Sequence, residues 1–177
     1  QFAVSTGLGN DTLDAGGFAL SDSVALGSGD DRFVSGLGHD TVDGGAQGPL
    51  GDLLVVDYAS LAGRVSNYDV GYGWWQVGES DNAASVRYIG IERCALTSGA
   101  GNDQIDTTAI ANGRENLALG DGNDTARVGT GQARVDLGYA GSDLLVADLS
   151  TSTNTVRMLD TGYGWWRISD GVRGGNQ

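Results

Sequence analysis

The oxygen donors of this chain recur in a fixed frame. Nine-residue blocks of the form x-Gly-x-Gly-x-Asp-x-apolar-x run from Thr6 to Asp14, Leu26 to Val34, Ser35 to Asp43, Ser98 to Asp106 and Leu119 to Arg127. Alternate glycines permit positive φ, which turns backbone carbonyls to the inside of a tight turn, and the Asp that closes the turn adds a carboxylate. All these donors are hard oxygens. Calcium takes about 6–8 of them in flexible geometry, whereas magnesium prefers an octahedron that keeps several waters, so calcium suits the set better.

A strand must follow each turn. After the Asp, one apolar side chain (Leu13, Phe33, Val42 or Ile105) points inward while its neighbours point out, the period-two pattern of a β-strand. With two blocks per coil, each block lies over the next but one, and the ligand turns stack along both edges. Counting along the chain places Asp11, Asp31 and Asp52 on one edge, continued in the second half by Asp103, Asp124 and Asp143. Asp22 and Asp40 fall on the other edge, continued by Glu115 and then Ala133, where the carboxylate is lost.

Composition agrees with a chain of turns and strands. Of 177 residues 31 are Gly and 1 is Pro, which leaves no room for a helical bundle. A hydrophobic fraction of 40% with 4 Trp and 6 Tyr is enough for a core. A net charge of -13, with 10 Arg scattered singly and no Lys, argues against nucleic acid and anionic membranes and makes cations the expected partners. No apolar run approaches the ~18 residues of a membrane span. Cys94 stands alone, and with His39 as the only histidine no zinc cluster is available.

The chain also repeats on a longer scale. Gly71-Tyr72-Gly73-Trp74-Trp75 returns 91 residues later as Gly162-Tyr163-Gly164-Trp165-Trp166, and Asp52-Leu53-Leu54-Val55 returns by the same offset from Asp143. Residues 1–92 therefore form a first unit and 93–177 a second, truncated unit of one continuous solenoid. Nothing after Asp170 matches Tyr88-Ile89-Gly90-Ile91-Glu92, and the chain lacks an initiator Met, so the expectation is a fragment of a larger protein with further repeat units.

The five blocks closely resemble the Gly-Gly-x-Gly-x-Asp-x-apolar-x nonapeptide of the RTX (repeats-in-toxin) family of hemolysin-type calcium-binding repeats. The resemblance covers about residues 6–55 and 98–147, a little over half the chain. It implies an all-β fold, a right-handed parallel β-roll or β-helix with calcium between stacked turns, in a secreted protein exported by type I secretion that folds on meeting extracellular calcium. Carried over residue by residue, it pairs Gly7, Gly9, Asn10 and Asp11 with Gly27, Gly29, Asp30 and Asp31. The same pairing recurs between Gly99, Gly101, Asn102 and Asp103 and Gly120, Gly122, Asn123 and Asp124. Gly36, Gly38 and Asp40 give a further half-site facing Asp22, and Asp52 and Asp143 extend the columns. Most blocks keep one of the two leading glycines, and the repeats are interrupted.

Residues 53–97 read as further strands with longer connections, in the same coil rather than in a separate domain. The Trp pairs suit either a sugar-stacking platform or packing on the core, the second being the commoner use of Trp. His39 stands at the variable place before Asp40 and reads as a surface residue, Cys94 aligns with Phe2 and reads as buried, and Asp14, Asp43, Asp106 and Asp136 read as solvated outward acids. No nucleophile is paired with a base, so no enzyme is expected. The reading is a calcium-folded scaffold, adhesin stalk or surface-layer component of a bacterial protein. The alternative is an ancillary module of a secreted enzyme that binds extracellular polysaccharide through the Gly-Tyr-Gly-Trp-Trp segments.

Overall fold

The structure, a computed structural model, describes residues 1–110, 113–152, 157–162 and 165–169, the last two segments by their backbone pairing. The protein is an all-β solenoid of about 7 coils, with parallel strands stacked about 21 residues apart. The coils run across two facing sheets in alternation. Coil one comprises β1 (Ala3–Ser5) and β2 (Thr12–Asp14); coil two β3 (Ser23–Ala25), the turn strand β4 (Ser28–Gly29) and β5 (Arg32–Ser35). Coil three comprises β6 (His39–Asp43), the turn strand β7 (Ala46–Gln47) and β8 (Leu53–Asp57). Coil four is longer, with β9 (Val65–Gly71), β10 (Trp74–Glu79), β11 (Ser85–Ile89) and β12 (Arg93–Thr97). Coils five to seven supply β13 (Gln104–Asp106), β14 (Gly113–Ala118), β15 (Thr125–Val128), β16 (Gly131–Asp136) and β17 (Leu144–Ala147), and a hairpin of β18 (Arg157–Gly162) and β19 (Trp165–Ser169) follows.

The first sheet has nine strands in the order β1-β3-β6-β11-β10-β9-β13-β15-β17, and the second has six in the order β16-β14-β12-β8-β5-β2. Two of the extra strands come from coil four, which crosses the first sheet three times, β10 running antiparallel to both β9 and β11, and the third is β17 of the last coil. Residues 65–97 are thus one coil widened by a β-meander. The signal was present in Gly71-Tyr72-Gly73, where Tyr72 at φ 57 and Gly73 at φ 81 make a hairpin turn of two positive-φ residues. The same hairpin recurs at β18 and β19, where Gly162 faces Trp165 and Asp160 faces Trp166, as Gly71 faces Trp74 and Asp69 faces Trp75.

The core lies between the sheets because the middle of each short strand points inward. In the second sheet Leu13, Phe33, Leu54, Cys94, Glu115 and Ala133 lie in one register row, with Val56, Leu96, Leu117 and Val135 in the next. Phe33, Leu54 and Leu117 are wholly buried, and Cys94 is buried as its alignment with Phe2 suggested. Truncating a side chain such as Phe33 to Ala costs about 3–5 kcal/mol in comparable cores.

The sequence repeat maps onto this coil strand for strand, but with the faces exchanged. Strand β1, in the first sheet, corresponds to the end of β12, in the second; β2, β3, β5, β6 and β8 correspond to β13, β14, β15, β16 and β17, each in the opposite sheet. The first unit contains an odd number of half-coils, so the second starts on the other side.

Candidate metal centre

The block acids form ladders along the edges, each carboxylate reaching back one coil to a backbone N–H. On the edge leading into the second sheet, Asp11 N–H donates to Asp31 Oδ1 at 2.7 Å, Asp31 N–H to Asp52 Oδ1 at 2.7 Å, and Asp52 N–H to Glu92 Oε2 at 3.0 Å. On the edge leading into the first sheet, Phe2 N–H donates to Asp22 Oδ1 at 2.9 Å and Asp22 N–H to Asp40 Oδ1 at 3.1 Å. Beyond the meander that edge resumes, Val65 N–H donating to Asp103 Oδ1 at 2.7 Å, Asp103 N–H to Asp124 Oδ1 at 2.9 Å and Asp124 N–H to Asp143 Oδ1 at 3.0 Å.

A second ladder runs the other way from the residue before the Asp. Asn10 Oδ1 accepts Asp30 N–H at 2.9 Å, Asn102 Oδ1 accepts Asn123 N–H at 2.8 Å, and Asn123 Oδ1 accepts Ser142 N–H at 2.8 Å. Asp30 Oδ1 accepts Leu50 N–H and Gly51 N–H, both at 2.7 Å. The glycines allow the turns to approach this closely. A Cβ on Gly27 would collide with Gly7 O and one on Gly29, at φ +149, with Gly9 O, while Gly120 and Gly122 meet Gly99 O and Gly101 O in the same way. Gly36 and Gly38 press on Phe18 O and Leu20 O, so the turn before Asp40 does stack on the turn before Asp22.

At Asp40 both carboxylate oxygens are accounted for, Oδ2 accepting the Ser35 hydroxyl at 2.8 Å, but in five other ladder acids one oxygen is not. Oδ2 of Asp22, Asp31, Asp52, Asp103 and Asp124 is buried without a hydrogen-bond partner. A buried charged oxygen left unpaired is costly, so a cation beside it would be stabilising. Burial is the largest cause raising Asp40, Asp103 and Asp124 above the ordinary aspartate value. Asp52 is pushed up to about 6, first by burial and then by repulsion from Asp31, Glu92 and Asp30, against the Asp31 backbone hydrogen bond. At Asp103 the neighbouring Ser98 hydroxyl, the Val65 N–H and, last, the Arg64 guanidinium act in the opposite sense. Among the described residues no three His, Cys, Asp or Glu side chains converge on one point, so an ion here would complete its shell from backbone carbonyls and water.

Two expectations need correction. The triad Asp103, Asp124 and Asp143 does not continue the edge of Asp11, Asp31 and Asp52; it continues that of Asp22 and Asp40, because the repeat exchanges faces. Glu115 and Ala133 belong to the edge into the second sheet, and neither closes a turn. Both lie inside strands, Cys94 facing Glu115 and Glu115 facing Ala133 across β12, β14 and β16. Glu115 is 4% exposed, and burial pushes its carboxyl up to about 7.

The outward acids are more than solvated. Asp14 Oδ1 accepts Gly16 N–H at 2.9 Å, Asp43 Oδ1 accepts Gly45 N–H at 3.0 Å and Asp136 Oδ1 accepts Gly138 N–H at 3.1 Å, capping the turn that follows each strand. Asp106 caps Thr108 N–H at 3.0 Å and pairs with Arg127 at 3.3 Å. The Asp-x-Gly spacing was the available signal for these caps. His39 is exposed, with Nδ1 2.9 Å from Ser85 Oγ. Trp75 packs on the core opposite Tyr88, and the Arg87 guanidinium lies 4.9 Å from the centre of the Trp74 ring. The side chains of Trp165 and Trp166 lie outside the described residues. Comparison of the chain with protein-family models, curated proteins and solved structures finds no match.

Proposed function

We propose that this solenoid is a calcium-binding structural repeat region of a large secreted bacterial protein, of scaffold, adhesin or surface-layer type, which folds when it meets calcium outside the cell. The observation that carries the reading is the set of buried, unpartnered Oδ2 atoms stacked on glycine turns one coil apart. The resemblance of the blocks to the RTX nonapeptide supports the same ion. Without a cation the ladder acids repel one another at close range and are desolvated, so binding and folding are one event. A calcium titration followed by circular dichroism tests this: strand signal should rise with calcium and collapse in chelator. Full strand signal in excess chelator at low salt, with no calcium bound in equilibrium dialysis, would overturn it.

The second reading, a polysaccharide-binding module, draws its support from the first hairpin, where Tyr72 is 100% and Tyr68 46% exposed. The aromatic rings offered to solvent there are tyrosines. Retardation of the chain in polysaccharide gels that Tyr68→Ala and Tyr72→Ala abolish would favour it.

A further inference from the structure

The ladder on the edge into the second sheet does not end with the glycine-aspartate blocks. Coil four enters that sheet through Gly90-Ile91-Glu92, which follows no block pattern, yet Glu92 takes the next rung by accepting Asp52 N–H at 3.0 Å. Asp52 beneath it is 0% exposed; its Oδ1 is used by Asp31 N–H and its Oδ2 has no partner. Gly44 lets two oxygens approach each other: a Cβ there would collide with both, lying 2.8 Å from Asp52 Oδ2 and closer still to Gly90 O. The charged groups that act on Asp52 are Asp31, Glu92 and Asp30, all negative. A half-open cavity of about 170 Å³ adjoins the step, lined by Gly90 and Glu92 together with Trp75 and Tyr88.

We infer that the step between Asp52 and Glu92 is a further site for a hard divalent cation, taking Asp52 Oδ2, the Glu92 carboxylate and the Gly90 carbonyl as protein ligands and water from the cavity. Only oxygens are offered, which selects a calcium-like ion over softer metals. The site rests on the calcium reading but lies outside the blocks, and it ties the meander coil to the coils below it.

Terbium, a calcium-sized luminescent ion, tests this in the full chain because Trp75 lines the same cavity and can sensitise its emission. Glu92→Gln keeps an oxygen for Asp52 N–H while removing the charge; it should lower terbium and calcium stoichiometry by one ion and cut tryptophan-sensitised emission at least twofold. Trp75→Phe should cut the emission to a similar extent with stoichiometry unchanged, which covers the case in which Glu92→Gln fails to fold. Calcium binding with full stoichiometry and emission in Glu92→Gln, or unchanged emission in Trp75→Phe, overturns this site and leaves the block sites standing. Absence of any bound calcium or terbium overturns both.

Discussion

The column around Asp31 and the column around Asp124 are built from the same block, but their ends differ. The first runs Asp11, Asp31, Asp52 and then a further acid, Glu92, with no cationic side chain among the charges acting on Asp52. The second starts at the turn holding Arg64, whose guanidinium offsets part of the charge at Asp103, and ends on the exposed Asp143. The two columns therefore differ at one place: the Arg64 guanidinium acts on Asp103, whereas the charged groups acting on Asp52 and Asp124 are acids alone. An external cation matters more where the protein supplies no charge of its own.

On the proposed calcium reading, that contrast is broken most severely by withholding calcium. In excess chelator, hydrogen exchange should show coils one to three losing protection before coils five and six; simultaneous loss would mean that Arg64 compensates nothing. The next largest effect is expected at Glu115, the unit-two counterpart of Asp22. Its folded value of about 7 lies above the ordinary 4.5, so the folded chain holds a proton that the unfolded chain releases. Stability should consequently fall as pH rises across that interval, by up to ~3 kcal/mol, and Glu115→Gln should flatten the fall. Denaturant midpoints at a series of pH values measure it, and an unchanged slope in the variant would show that Glu115 is not titrating in the core.

Asp31→Ala and Asp124→Ala compare the columns directly. Each removes one buried acceptor, worth about 1–3 kcal/mol, and each relieves repulsion, from Asp52 at Asp31 and from Asp103 and Asp143 at Asp124, so in chelator the two should cost about the same and in calcium Asp31→Ala should be the more harmful. Equal effects under both conditions would indicate that the columns are electrostatically alike. Arg64→Gln should make the second column resemble the first, shifting its calcium midpoint several-fold in a titration followed by circular dichroism. The smallest expected effect is at Asp43, whose cap on Gly45 N–H predicts a loss of about 1 kcal/mol in Asp43→Ala, where a merely solvated acid would lose no more than ~0.5 kcal/mol.

Much of this was legible in the blocks themselves. Gly7, Gly9, Asn10 and Asp11 do stack on Gly27, Gly29, Asp30 and Asp31, since both the turn geometry and the strand that follows are set within nine residues. Glu92 was not legible as a rung, because it sits in no block and meets Asp52 only by stacking 40 residues away. Arg64 was hidden for the same reason: it acts on Asp103 through a turn that lacks the motif. The hairpin at Gly71-Tyr72-Gly73 was readable from its glycines, but nothing local says that three strands of one coil enter the same sheet.

The sequence by itself determined the alternation of glycine turn and short strand, the stacking of each block on the next but one, and the identity of the oxygens presented at each turn. These follow from backbone freedom at glycine and from side chains alternating across a strand, both of which act within a few residues. Only the tertiary structure decided which acids share an edge. That depends on the parity of half-coils between them, and the meander of coil four, counting as one passage across the sheet although it contains three strands, makes the first unit odd and sends Asp103 to the edge opposite Asp11.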